Sequence, residues 1–195
     1  MARPGDRRPL ITDHAIEVLA SGGARALSHH AVDRAAGLAA GSTSYYFRTR
    51  RDLVVATIGR IRDHSRVAFH ESFMPATVSP RTAATLMEGQ LQLLAGTRRN
   101  DALAVFSLLP EVESDPELRT ELASCLFSRE LSTKLLVALG RSEAHGTSLD
   151  LIDFLTGILF GLLFGQRRTE AIIGTPIIDA LERFLAVNVD PTVGN

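Results

Sequence analysis

The stretch Ala24–Phe47, ARALSHHAVDRAAGLAAGSTSYYF, holds two short helix patterns that meet around Ala36-Gly37-Leu38. Ser28 can accept a hydrogen bond from the free amides of the turn that follows it, and Ala31, Val32 and Ala35 give the first helix an apolar stripe at helical spacing. Gly37 ends that helix, since a glycine just past a helix end takes the left-handed conformation a tight reversal needs, and Leu38 can plug the junction. The second segment, Ala40 to Tyr46, is short and presents Ser42, Thr43, Tyr45 and Tyr46 outward. Hydrogen-bonding side chains on a small helix suit a major groove that admits one helix. The stretch reads as a helix-turn-helix.

Outward from it, Leu10, Ile11, Ala15, Val18 and Leu19 fall on one face of an amphipathic helix that Gly22-Gly23 ends. That helix buttresses the motif and makes a three-helix lobe. On the other side, Leu53, Val54, Thr57, Ile58 and Ile61 continue one helix from about Arg50 into His70. It leads from this lobe into a second and is the natural lever between them. The chain then divides into a loose tail (1–8), a helix-turn-helix domain (9–50, motif 28–47), a connecting helix (51–74) and a second helical domain (75–195).

In the second domain Ser79-Pro80 is a cap and first-turn pair for a helix to about Ala95, and Asp101 to Leu109 is a short apolar helix stopped by Pro110. Glu111, Glu113, Asp115 and Glu117 cluster where a helix opens at Asp115-Pro116, whose positive dipole end accounts for the carboxylates without a metal. That helix is expected to run to about Leu139. Thr147 or Ser148 opens another to Gln166, and Thr175-Pro176 opens the last. With no strand-like alternation the fold is all-α, with about nine helices. Gly157, Gly161 and Gly165 recur every four residues along one side of their helix, where missing side chains let another helix approach. They fit a dimer seam or close packing within one subunit.

The chain of 195 residues has 45% hydrophobic and 22% charged residues, ordinary for a folded protein. Its formal charge of −1 hides an uneven distribution: residues 1–62 hold ten Arg against five acids, while the rest hold eleven Lys or Arg against seventeen acids. A basic lobe carrying the motif is what phosphate contact requires. Cys125 is the single cysteine, which excludes an internal disulfide and any multi-cysteine metal site. No signal-peptide pattern opens the chain, and the longest uncharged run, Phe154 to Gln166, falls short of the ~20 apolar residues a spanning helix needs. The reading is a cytoplasmic protein with no membrane partner. Neither G-x-S-x-G, H-E-x-x-H, a phosphate loop nor Cys/His metal spacing occurs, so no enzyme, metal or cofactor is expected.

The run from Gly37 to Phe47 followed by Arg48-Thr49-Arg50-Arg51-Asp52-Leu53 resembles the DNA-binding segment of the TetR family of bacterial transcriptional regulators, G-V-S-x-G-T-L-Y-x-H-F-x-S-K-E-x-L. Three of its departures bear on contacts. Ala39 stands where the family has a capping Ser, Ser44 where it has a phosphate-contacting Tyr, and Arg50 where it has Lys. Tyr45 is the candidate to take over the contact that Ser44 cannot make. The resemblance implies a homodimeric regulator, a repressor released from palindromic double-stranded DNA by an unidentified, small, largely apolar effector. Ser28 caps the motif's first helix, His29, His30, Ser42, Thr43 and Tyr45 should face base edges, and Tyr46, Arg48, Thr49 and Arg50 should hold phosphates. An effector pocket is implied among the middle helices, with Phe69, Phe73, Met87, Leu91, Phe106, Leu122, Leu126 and Phe160 as candidate lining and His64, His70 and His145 as polar contacts. Gly157, Gly161, Phe164, Gly165, Ile177 and Leu181 are the candidate dimer interface. The alternative is a helical ligand-binding or interaction protein without operator binding, which salt-dependent binding to a palindrome separates from the first reading.

Overall fold

Side-chain caps decide where the helices begin. Ser28, Ser79, Asp115 and Ser128 accept hydrogen bonds from the amides of Ala31 (3.1 Å), Thr82 (3.1 Å), Leu118 (3.1 Å) and Leu131 (3.3 Å), and proline follows two of the four. Each cap satisfies an amide the helix cannot, and proline at the first helical position lacks the amide that would be free. The result, in a computed structural model that describes residues 6–68, 78–141, 144–165, 167 and 175–187, is ten α-helices and no strand among the described residues. They are α1 (Arg8–Gly22), α2 (His29–Ala35), α3 (Ser42–Tyr46), α4 (Arg50–Ala68), α5 (Pro80–Ala95), α6 (Arg99–Leu108), α7 (Pro116–Ala123), α8 (Arg129–Ala138), α9 (Ala144–Leu163) and α10 (Thr175–Val187).

The pattern read as one helix from Asp115 to Leu139 is two, α7 and α8. Cys125, Leu126 and Phe127 are all at most 5% exposed, and three consecutive residues cannot lie on one face of a helix. A turn buries all three, and Ser128 caps the new helix.

Packing divides the chain discontinuously into two units. One comprises α1–α4 with residues 100–126 (α6 and α7), the other α5 with α8–α10. In the first, α1 buries Ile11, Ala15, Ile16 and Leu19 and packs along α4, which buries Leu53, Val54, Ile58 and Ile61. Polar contacts fasten the same helices. Arg60 grips Asp13 through Nε (2.6 Å) and Nη2 (2.8 Å), bonds that hold the guanidinium pKa above its ordinary value. His64 bridges two helices, with Nδ1 3.0 Å from the buried Asp101 and Nε2 3.4 Å from Asp13. It is a structural tie of this unit.

In the second unit α5 packs against α9 and α10, and α8 against α9. Ile177, Leu181 and Leu185 recur at four-residue spacing on α10 and are 6%, 0% and 0% exposed. Ile177 and Leu181 therefore belong to the core of this unit, not to an exposed seam: the apolar stripe of α10 is consumed within one chain, and Arg81 of α5 pins the helix by pairing with Asp179 and Glu182. Phe154 stacks on Phe184 at 4.8 Å.

Helix α9 is apolar on two sides. Leu151, Leu155, Leu159 and Leu162 point inward at 0–4% exposure, while Leu149, Phe160 and Phe164 stand 46%, 53% and 47% exposed. A Cβ built on Gly157 meets nothing within 4 Å, so that glycine faces open space, whereas one on Gly165 would meet the Gly161 backbone at 3.0 Å. The two-sided apolarity makes the window Gly146–Leu163 long and apolar enough to cross a membrane by length and composition, at mean hydropathy 1.5 with 33% of it buried. Its inward face packs on α5 and α8 as a core helix does.

Of the candidate pocket residues, Met87 and Leu91 are core of the second unit, Leu122 and Leu126 are buried residues of the first, Phe106, also of the first, is half-buried, and Phe160 is exposed. Phe69, His70, Phe73 and the His145 side chain lie outside the described residues.

Since Leu181 is fully enclosed, Leu181→Ala should cost about 2–5 kcal/mol of unfolding free energy in urea titration. A side chain left in water would cost under about 0.5 kcal/mol.

Candidate nucleic-acid interface

Helix α2 ends in a double hydrogen-bonded reversal. The Leu38 amide donates to the Asp33 carbonyl (2.8 Å) and the Gly37 amide to the Arg34 carbonyl (3.3 Å), with Gly37 at φ 63°. This is the Schellman geometry, and it needs a left-handed residue at the glycine. The chain turns again at Ala39–Ser42, closed by Ser42 N to Ala39 O at 3.1 Å, with Gly41 at φ 89°.

Helix α3 then begins without a side-chain cap of its own, because Ala39 has no acceptor and Gly41 has no side chain. Asp33, reaching across from α2, supplies it. Its Oδ2 accepts from the Gly41 amide (2.8 Å), and its Oδ1 accepts from the Thr43 amide (2.7 Å) and the Thr43 hydroxyl (2.6 Å). Asp33 is 2% exposed and Thr43 0%. Burial pushes the Asp33 carboxyl pKa up, but the bonds from the Thr43 side chain and the Thr43 and Gly41 amides, with the nearby His30, outweigh it and leave the pKa below the ordinary carboxylate value. His29 closes the motif from the other side, its Nε2 donating to the Phe47 carbonyl at 2.8 Å.

These bonds determine which side chains are left facing outward. Thr43, expected at a base edge, points inward and is sealed by Asp33. His29, also expected there, is half-buried and committed to Phe47. What remains outward on and around α3 is Ser44, Tyr45 at 76% exposure, Arg48 and Thr49, with Ser42 and Tyr46 half-buried and Ser28 and His30 exposed at α2. Tyr46 stands edge-on to Tyr45 at 5.1 Å, and the Arg8 guanidinium lies 5.4 Å over its ring, which brings the start of α1 beside the reading helix.

Two expected phosphate ligands are placed differently. The Thr49 hydroxyl accepts from the Asp52 amide (3.0 Å) while Asp52 accepts from the Thr49 amide (2.9 Å), so Thr49 caps α4. Those bonds from Thr49 hold the Asp52 pKa low. Arg50 turns inward. Its Nη2 donates to the Ala24 carbonyl (2.8 Å), Nε to the Leu27 carbonyl (3.3 Å) and Nη1 to Glu111. Two acids of the cluster are engaged in the same place: Glu111 with Arg50, and Asp115, which caps α7 and pairs with Arg51 at 2.5 Å.

Asp33 and Arg8 escaped the sequence reading. The missing cap at Ala39 was the available signal for Asp33, since free amides at a helix start need an acceptor from somewhere. Nothing in the local pattern points Arg8 at Tyr46.

An all-α chain with a short capped helix presented outward by a helix-turn-helix is a helix-turn-helix regulator by class. The model of the tetracyclin repressor-like C-terminal domain matches residues 78–187, and the chain belongs to the TetR family of transcriptional regulators. Among solved structures it is similar to a TetR-family member from Streptomyces coelicolor A3, with 25% identity, a TM-score of 0.69 and coverage of 95% of this chain and 99% of that one. It is also similar to the multidrug binding protein EbrR complexed with imidazole, at 26% identity and TM-score 0.68, with 97% and 99% covered. A TetR-like regulator from Rhodococcus sp. RHA1 shares the fold at 19% identity and TM-score 0.66, with 95% and 97% covered. Among curated protein sequences none matches this chain.

Asp33→Ala leaves the Gly41 and Thr43 amides without their acceptor and should cost about 1–3 kcal/mol of stability. Introducing Ala39→Ser in that background should recover part of it, read as the thermal midpoint. Because the folded pKa of Asp33 lies below the unfolded one, its contribution is complete above about pH 4 and disappears as pH falls through the folded pKa. Urea titrations below pH 4 should therefore show the parent losing stability more steeply than Asp33→Asn.

Proposed function

We propose that this chain is a homodimeric repressor that reads a palindromic operator through α3 and is released by a small, largely apolar effector. The observation that carries the reading is the rigidly capped α3 with Ser44, Tyr45 and Arg48 outward. A five-residue helix is marginal alone, and its attachment through Asp33 and His29 makes it a defined probe for a groove. Tyr45 with Ser42 and His30 then sets base preference, while Arg48 and Tyr46 set affinity and its salt dependence.

Dimerisation supports the same reading. One α3 reads few bases, and two held ~34–36 Å apart read successive major-groove faces. The exposed Leu149, Phe160 and Phe164 with the open Gly157 form an apolar stripe on α9 suited to the same stripe of a second copy. The effector reading draws on EbrR, which is solved in complexes with ethidium, proflavin and malachite green and is 26% identical to this chain. An effector of that flat, aromatic kind would favour a dimer geometry whose two α3 helices no longer fit both half-sites, so its differential affinity for two shapes carries the signal.

Selection of randomised duplex DNA by the purified protein, followed by affinity of the winner across salt, tests operator binding, and titration of the DNA-free protein with ethidium tests the effector site. A palindrome with steep salt dependence and saturable ethidium binding to the protein alone are the expected results; no enrichment at low salt refutes operator binding. Tyr45→Ala should weaken the selected operator by about 1–3 kcal/mol and relax preference at one base pair per half-site, with an unchanged thermal midpoint because the ring is exposed. Phe160→Glu should shift the protein to monomer in light scattering, and operator affinity should fall with it.

A further inference from the structure

Arg50 occupies the position where the family's segment carries a lysine, yet each of its three guanidinium nitrogens is already engaged inside the protein. Nε and Nη2 hold the carbonyls of Leu27 and Ala24, in the turn that leads into α2, and Nη1 holds Glu111, in the short 3-10 turn Leu109–Glu111 after α6. Beside it Arg51 pairs with Asp115, which also caps α7. Between the two ion pairs lies a cleft of about 420 Å³, also lined by Val54, Ser114, Pro116 and Leu118. We infer that Arg50 is a positioning residue: it acts as a strut that fixes the entrance of the helix-turn-helix to the segment between α6 and α7, acting through Glu111, and does not ligate phosphate.

The chemistry explains the arginine. A guanidinium presents its donors in a rigid plane and can span two carbonyls and a carboxylate at once, whereas an ammonium is a point charge on a flexible stem. The Arg50 and Glu111 side chains are 40% and 31% exposed, so the pair is partly withdrawn from water and screened less than a free surface pair. Held this way, α2, α4 and the α6–α7 segment move together, and the angle at which α3 is presented depends on Glu111, a residue sixty-one positions downstream.

The inference rests on the operator-binding reading, and the experiment separates the two. Full-length Arg50→Lys, Arg50→Gln, Glu111→Gln and the double variant Arg50→Gln/Glu111→Gln are compared with the parent for operator affinity across salt and for thermal midpoint. The strut requires each single variant, the lysine one included, to bind about fivefold or more weakly with the parental slope of log K against log salt. It also requires the double variant to be no weaker than Arg50→Gln within about twofold. A phosphate ligand gives the opposite pattern: Arg50→Lys binds like the parent, Arg50→Gln loses about 0.9 of slope, and Glu111→Gln binds as well or more tightly. That pattern overturns the inference, as does a lowered active fraction whose remaining molecules bind with parental affinity. If the parent itself enriches no palindrome, operator binding is what fails, and the strut is judged by thermal unfolding of the same four variants. A midpoint shift in the double variant no larger than that of Arg50→Gln upholds it; additive shifts overturn it.

Discussion

The carboxylate of Asp33 is the constraint on which the reading head depends. It is nearly inaccessible to water, a position that costs a charge several kcal/mol unless hydrogen bonds replace its hydration, and three donors from Gly41 and Thr43 do so. Two of those donors are amides at the start of α3 that a five-residue helix cannot satisfy by itself, and the third is the Thr43 hydroxyl. One side chain of α2 thus both terminates the turn and starts α3. The inward fate of Thr43 and the outward fate of Ser44 and Tyr45 follow from it, since neighbouring residues on a helix face different directions.

Helix α4 shows how charge in a sequence differs from charge on a surface. The first 62 residues are strongly basic, but Arg50, Arg51, Arg60 and Arg62 pair with Glu111, Asp115, Asp13 and Glu121. Three of those acids come from the acidic remainder of the chain and fold back beside the basic segment. The positive charge left unpaired is therefore smaller than the count suggests, and among the described residues of this segment it sits at Arg7, Arg25, Arg34 and Arg48, all exposed, while Arg8 pairs with Asp6. Long-range ion pairs of this kind hold the unit together while trimming its field to one end.

In the second unit the organising fact is that α9 is apolar on two faces while α10 is apolar on one. The single stripe of α10 is spent on α5, which places Ile177 and Leu181 in the core. The inner leucines of α9 are spent likewise, and Phe160 and Phe164 remain in contact with each other at the surface, 5.2 Å between ring centroids. Among the described residues the inner face of α9 is buried and the outer apolar one is exposed.

Local chemistry made much of this legible in the sequence: Ser28, Ser79 and Asp115 as caps, Gly37 as the end of α2, the amphipathic stripes of α1, α4 and α5, and with them an all-α fold bearing a helix-turn-helix of TetR type. Such signals act within one or two turns, so they can be read without knowing what packs where. The break at Cys125–Phe127, the assignment of Ile177 and Leu181 to the core, and the inward turn of Thr43 and Arg50 lay outside that range. Each is decided by a partner far along the chain, Asp33 for Thr43 across ten residues and Glu111 for Arg50 across sixty-one. Whether a polar side chain faces water or a buried acceptor depends on which acceptor folding delivers beside it. That delivery is a property of the tertiary structure alone.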